Sequence, residues 1–348
     1  MRKLTWPLYK RYLQRSTHPI LVGPFTSEVG FCVLYWIPFV QALGIDPARL
    51  IPVTRGGAAV WYGSPSGVEL YDLRDPRDIR IENTLQHSKT GMLKQTRVTP
   101  FDRALLKDAA KAAGLTRYHV LHPAWMYQIL APFWEGRVGQ NWIVPHLTRL
   151  EGTHRVPMPI RAPVPPAGLP KGYCAARFYA RTTFPYSDLT LQCVTACLTQ
   201  LAATQPVVLL NAGVHADEHV DFPLKDIPNV TKLSDVVTVE PRTNLALQSA
   251  VIGGATGFVG TYGGLAQLAL RMGKPSVSFY QDWTGTLLAH KHLSELIALQ
   301  SGVSFLTLKL TDIPLLKAVA PDLVFAASSS NRAQAPLSSA LDEVPVTV

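Results

Sequence analysis

Twice along this chain, short apolar runs of strand length alternate with small-residue turns and stretches of helical periodicity, and a proline-dense segment separates the two series. In the first series Pro19-Ile20-Leu21-Val22-Gly23 leads through Pro24-Phe25-Thr26-Ser27-Glu28-Val29-Gly30 into a helix carried by Phe31, Leu34, Tyr35, Ile37 and Val40. The second series restarts with a strand at 173–179, a polar and aromatic loop, a helix at 189–203 and a strand at 206–211. Such alternation builds parallel sheets with right-handed crossovers, whose ligands gather at the carboxyl ends of the strands. Between the series, Pro157, Pro159, Pro163, Pro165, Pro166 and Pro170 exclude a regular helix and mark an extended connection. The expected fold is α/β, with two Rossmann-like domains facing across a cleft. Residues 1–155 form the first domain, 156–171 the linker, 172–326 the second domain, and the Ser-, Ala- and Pro-rich 327–348 a disordered tail.

Along the first domain the pattern predicts strands at 49–53, 58–62, 68–73 and 118–121 and helices at 101–114 and 124–134, with the polar stretch 74–99 as a substrate-facing loop. In the second it predicts short strands at 229–231 and 236–239, a helix at 244–253, and then the chain's most suggestive stretch, Val259-Gly260-Thr261-Tyr262-Gly263-Gly264-Leu265-Ala266-Gln267-Leu268-Ala269. A strand at 276–280, a helix at 287–300 and a strand at 305–308 follow. A Gly pair between strand and helix serves tight packing in many α/β proteins, but it also leaves free amides at a helix N-terminus, where an anion is stabilised. Thr261 and Tyr262 add hydroxyls beside those amides.

Of the 348 residues, 47% are apolar and only 16% charged, enough for two buried cores and unlike a disordered or fibrous chain. No run approaches the roughly 20 apolar residues needed to span a bilayer; 29–40 is nearly all apolar but reads as a core helix. The first residues carry no compact apolar stretch with a small-residue cleavage site, so a cytoplasmic location is expected. Cys32, Cys174, Cys193 and Cys197 contain no CxxC pair and read as buried thiols in a reducing compartment rather than a metal centre.

A net charge of +9 points to an anionic partner, while no pattern of a nucleic-acid-binding module is present. Phosphate-bearing substrates and an anionic membrane surface remain. For residues 1–15, where Arg2, Lys3, Lys10, Arg11 and Arg15 mix with Leu4, Trp6, Leu8, Tyr9, Tyr12 and Leu13, two readings stand level. One is peripheral contact with the inner face of a membrane; the other is a surface helix packed on the first domain.

The two-domain pattern with these turns resembles the two-Rossmann-domain glycosyltransferases known as GT-B. Within that class it is similar in two motifs to the heptosyltransferase family. Ser27-Glu28-Val29-Gly30, followed by Pro38 inside the helix, resembles that family's early turn; Thr261-Tyr262-Gly263-Gly264, with Gln267, resembles its late one. Glu stands where the family has Asp in the early turn, Thr-Tyr where it has Asp-Ser in the late one, and Gln267 where it has His or a nearby polar residue. The resemblance implies an acceptor-side first domain, a second domain binding a nucleotide sugar, and a catalytic carboxylate at Glu28. It also implies a basic residue on the loop after the second domain's first strand, for which Arg177 and Arg181 are the candidates.

Sugar transfer from a nucleotide needs a base for the acceptor hydroxyl and positive groups for the departing diphosphate. No Asp-x-Asp motif is present, so Arg, hydroxyls and helix N-termini take the place of a metal, with no cofactor beyond the nucleotide-sugar co-substrate. Glu28 is the candidate base, with desolvation by Phe31, Tyr35 and Trp36 expected to raise its pKa against the opposing helix dipole; the alternative is a carboxylate that only stabilises the helix N-terminus. The donor side comprises Arg177, Arg181, Asn211, His219, Asn244, Gln248, Thr261, Tyr262, Gly263, Gly264 and Gln267, with His122 on the acceptor side. The cluster His215, Asp217, Glu218, His219 and Asp221 reads as a loop meeting base or ribose rather than a metal site. The reaction expected is a metal-independent, inverting transfer of a hexosyl or heptosyl unit to a glycan or lipid-linked hydroxyl. The alternatives are a nucleotide-sugar epimerase or phosphorylase on the same fold, or a binding protein that has lost turnover.

Overall fold

A computed structural model describes residues 5–90, 95–151, 154–157, 159–181, 183–211, 220–281 and 287–309. The expected tail and the cluster 215–219 lie outside them. The first domain holds a four-stranded sheet of β1 (Ile20–Val22), β2 (Leu50–Thr54), β3 (Val68–Glu69) and β4 (His119–Leu121), in the order β3-β2-β1-β4 with every neighbouring pair parallel. An antiparallel hairpin, β5 (Thr148–Glu151) and β6 (His154–Pro157), then leads toward the second domain.

The second domain contributes β7 (Cys174–Arg177), β8 (Tyr179–Ala180), β9 (Val207–Leu209), β10 (Val220–Asp221), β11 (Val230–Lys232), β12 (Phe258–Thr261), β13 (Ser276–Tyr280) and β14 (Phe305–Lys309). Its main sheet is parallel throughout, ordered β11-β9-β7-β12-β13-β14, while β8 and β10 pair antiparallel beside it. Numbered within the domain, that order is 3-2-1-4-5-6, the doubly wound Rossmann arrangement; the first domain repeats its 3-2-1-4 portion. The fold is therefore the two-Rossmann-domain, GT-B-like architecture expected from the alternation. In each sheet the strand order reverses beside the first strand, β1/β4 and β7/β12, so the loops leaving those strands flank the crevices where such folds bind ligands.

The helix after β1 starts at Val29–Phe31, widens into a π segment at Cys32–Trp36 and returns to α geometry at Ile37–Gln41. Pro38 lacks the N–H that would bond back to Leu34, and the ladder relaxes just ahead of it. Residues 33–40 are buried throughout, as their apolar run required. The N-terminal helix Trp6–Arg15 packs inward through Leu13 and through Trp6, stacked on Phe39 and tilted against Trp125, and the Tyr9 hydroxyl donates to Val120 O at 2.6 Å. Leu8 and Tyr12 face outward. No helix among the described residues is long and apolar enough to cross a membrane.

Several local expectations need correction. Residues 58–62 are a 3-10 helix, Ala58–Tyr62, because Gly57 and Gly63 bracket them in the left-handed region at φ +76° and +67°, and Trp61 and Tyr62 turn into the core. The polar loop expected at 74–99 is largely the helix Pro76–Thr90, which lies on the surface and buries Ile79, so its apolar periodicity is faint. Only Val68–Glu69 of 68–73 is strand; Leu70–Leu73 forms one helical turn. Residues Leu233–Val236 are helical where a strand was expected nearby. The 124–134 helix matches its expectation, and the 101–114 helix forms as Pro100–Ala112, capped by a reciprocal Thr99/Asp102 box.

The domains pack tightly together. The Trp61 indole donates to Ser249 Oγ at 2.7 Å, Ala246 N donates to Gly56 O at 2.9 Å, and Tyr35 Oη lies 2.6 Å from His290 Nδ1. The linker runs along the second domain, where Ile160 N donates to Arg271 O and Ala162 and Pro165 fill the space left by Gly253 and Gly254.

Candidate active site

The loop after β1 is anchored at nearly every polar group. Gly23 N donates to Leu121 O at 2.9 Å and Phe25 N to Val53 O at 3.2 Å. Arg55 Nη2 donates to Ser27 O at 2.9 Å, and the Tyr127 hydroxyl donates to Ser27 Oγ at 3.0 Å. Residues 23–27 are buried; Glu28 is exposed. Glu28 is the N-cap residue, its carbonyl accepting from Cys32 N at 3.1 Å, so it sits at the positive end of the helix rather than in its first turn. The aromatic desolvation expected around Glu28 does not form. Phe31, Tyr35 and Trp36 point into the core, Phe31 and Tyr35 against Trp134 and His290.

In the second domain, the Gly263-Gly264 turn opens the helix Gly264–Arg271, whose first amides have no partners within the helix. This helix start abuts the one at Val29. A Cβ on Gly264 would lie 2.8 Å from Val29 Cβ and 2.9 Å from Gly30 N, so the glycine is needed for the close approach. Two positive helix ends thus meet at the residue that follows Glu28 in the chain. Arg181 lies beside them, with Nη1 3.3 Å from the place a Gly263 Cβ would occupy and the Tyr179 hydroxyl at 2.1 Å from it.

The other predicted donor-side residues fall into two groups. Arg177 leaves the end of β7, donates through Nη1 to Gln248 Oε1 at 2.7 Å and pairs through Nη2 with Asp221 Oδ1 at 3.3 Å. The Gln248 amide then donates to Asn244 Oδ1, so Arg177, Gln248 and Asn244 form one polar chain at the carboxyl edge. Asn211 donates to Phe178 O at 3.2 Å, on the same edge. In the second group the polar atoms are held by the protein. The Thr261 hydroxyl accepts from Tyr179 N and donates to Tyr179 O, at 3.1 and 3.0 Å. Burial pushes the Tyr262 phenol up to about 12, and Gln267 Nε2 donates to its oxygen at 3.4 Å. Gln267 Oε1, also buried, points at Gly30, 2.7 Å from where a Cβ there would sit. His219 lies outside the described residues.

His122 is buried behind the β1 loop. Its Nδ1 accepts from Ala124 N at 3.0 Å, starting the next helix, and its Nε2 lies 3.5 Å from Asp102 Oδ2. Burial alone would raise the Asp102 carboxyl, but hydrogen bonding and charge from His122 and the Thr99 contacts outweigh it and hold it below the usual range. A folded value below the unfolded one near 3.9 means stability that is present above that pH and lost as pH falls through the folded value. The stability gap between the native chain and Asp102→Asn therefore narrows between about pH 5 and pH 3, as urea melts will read.

Sequence reasoning missed Tyr179, Tyr127, Arg55 and Gln95, whose contacts join residues distant in the chain. Among the described residues no three His, Cys, Asp or Glu side chains come together in a metal-binding geometry.

No family model matches this chain, and no curated protein matches it. Solved structures resemble it at low identity. The E. coli heptosyltransferase WaaC with ADP is 13% identical over 86% of this chain and 99% of that one, with a TM-score of 0.41. The glycosyl transferase family 9 protein of Veillonella parvula DSM 2008 is 10% identical over 88% and 90%, with a TM-score of 0.43. The glycosyltransferase SnogD from Streptomyces nogalater is 13% identical over 90% and 93%, at 0.33.

Proposed function

We propose that this chain is a metal-independent, inverting glycosyltransferase that moves a hexosyl or heptosyl unit from a nucleotide-sugar donor to a hydroxyl of a glycan or glycolipid. One observation supports the reading: Glu28, exposed on an otherwise buried loop, immediately precedes Val29 and Gly30, which pack against Gly264 at the start of the second-domain helix, and Arg181 lies beside the neighbouring Gly263. In this mechanism Glu28 takes the proton of the acceptor hydroxyl as its oxygen attacks the anomeric carbon. The bond to the nucleoside diphosphate breaks on the opposite face, so configuration inverts. Arg181 and the amides at Gly263–Gly264 stabilise the charge growing on the departing diphosphate. The Arg177–Gln248–Asn244 chain, at the same edge, meets the ribose or base. No cofactor takes part.

The acceptor approaches from the first domain, whose outward-facing Leu8, Arg11, Tyr12 and Arg15 rest on the inner face of the membrane. Arg181→Ala weakens nucleoside diphosphate binding by about 10- to 100-fold, the loss of a charge-assisted contact, and Arg181→Lys recovers part of it; calorimetric titration measures both.

A thermal-shift panel of ADP, UDP and GDP, run with and without a chelator, tests the reading. Stabilisation by one nucleotide that survives the chelator supports it; no stabilisation by any overturns it. A second reading, binding without turnover, draws on the Thr261 hydroxyl and Tyr262 phenol, which are held within the protein. Nucleotide binding with no release of diphosphate from any nucleotide sugar would favour it.

A further inference from the structure

Gln95 lies on the segment between the helices Pro76–Thr90 and Pro100–Ala112, far in sequence from the β1 loop. Its backbone takes φ +44°, a left-handed conformation that a non-glycine residue adopts at a cost. Its side chain is only 4% exposed. The amide forms a two-sided clamp: Oε1 accepts from Thr26 N at 3.0 Å, and Nε2 donates to Pro24 O at 2.8 Å. The same Nε2 lies 3.5 Å from Asp102 Oδ1, which ties the clamp to the capped helix and to His122 behind it. An amide suits this place because one end must accept and the other donate; a carboxylate, a lysine or an aliphatic chain would leave one loop group unpaired.

Glu28 follows the clamped segment after one residue. With 23–27 buried and held, Glu28 is the only exposed position of the loop. We infer that Gln95 is a positioning residue for Glu28: it fixes the loop so that the carboxylate is presented at the helix junction in one geometry. A strained backbone kept at a buried, doubly bonded amide fits support for a site better than simple packing, which an aliphatic residue in a relaxed conformation would serve. The inference rests on the proposed role of Glu28 as base. It adds that the accuracy of the base depends on a residue that touches no substrate.

Two readouts test it on the full chain, with Glu28→Gln as reference. In Gln95→Ala, amide hydrogen exchange across 23–30 quickens by about tenfold or more while exchange in 172–211 is unchanged. Turnover falls by about a hundredfold with nucleoside diphosphate affinity within about twofold, as expected for a displaced catalytic group. Should Gln95→Ala fail to fold, Gln95→Glu serves instead. Its carboxyl can donate to Pro24 O only while protonated, and burial beside Asp102 keeps it so well above the usual carboxyl range. Turnover of Gln95→Glu therefore falls as pH rises through a limb the native chain lacks. Unchanged exchange at 23–30, or full turnover in the Gln95 variants while Glu28→Gln is inactive, overturns the inference alone. Retained turnover in Glu28→Gln overturns the proposed function itself, and the positioning role with it.

Discussion

Glu28→Gln is expected to lower kcat by about a thousandfold while leaving nucleoside diphosphate affinity within about twofold. The substitution keeps the size and hydrogen-bonding reach of the side chain and removes only its capacity to take a proton, a contribution of about 10² to 10⁴ for a general base. Affinity should hold because the diphosphate contacts assigned here belong to the second domain, at Arg181 and Gly263–Gly264. Loss of affinity in step with rate would place Glu28 among the donor contacts instead.

The second large effect concerns the frame of the site. Gly260 pairs with Arg177 between β12 and β7, the two strands flanking the second domain's switch point. A Cβ there would lie 2.0 Å from the Arg177 carbonyl oxygen and 3.0 Å from its carbonyl carbon. Both atoms belong to backbone in the middle of a six-stranded sheet, so no side chain can swing away; the strands must part. Gly260→Ala is expected to destabilise the chain by about 3 kcal/mol, the upper range for overpacking, and to lower Tm by roughly 6 to 12 °C. The parted strands carry Arg177 and the residues preceding the Gly263–Gly264 turn, so the folded fraction should also bind nucleotide less tightly. Differential scanning calorimetry and titration at a temperature where the variant is folded measure the two effects. Unchanged melting would mean that the β7–β12 approach is looser than these distances require.

How much of this was legible in the residues depends on whether the signal was local. The strand–turn–helix units at 19–43 and 258–271 could be read because apolar runs, glycine stops and helical spacing lie within a few residues of one another. Strand order could not be read that way, since parallel neighbours such as β7 and β12 are joined only after much intervening chain. The helix Pro76–Thr90 escaped because it buries little apolar surface, leaving its periodicity faint. At the site, the contacts of Gly264 with Val29 and Gly30 and of Gly263 with Arg181 and Tyr179 join segments far apart in the chain, which no local pattern shows. The bonding of Thr261 and Tyr262 was not visible, because a hydroxyl in a sequence does not reveal that a backbone neighbour such as Tyr179 will occupy it. Gln95 left no signal: neither its left-handed backbone nor its partners Pro24 and Thr26 follow from the residues around it.

The central claim is that the helix N-terminus at Gly263–Gly264, with Arg181, holds a nucleoside diphosphate without metal. Hydrogen-exchange footprinting of the full chain with saturating nucleoside diphosphate and a chelator tests it most directly. The account predicts slowed exchange at 177–181 and 262–266, with no comparable change in Trp6–Arg15. Protection confined to other segments, or protection at these that vanishes with the chelator, would contradict it.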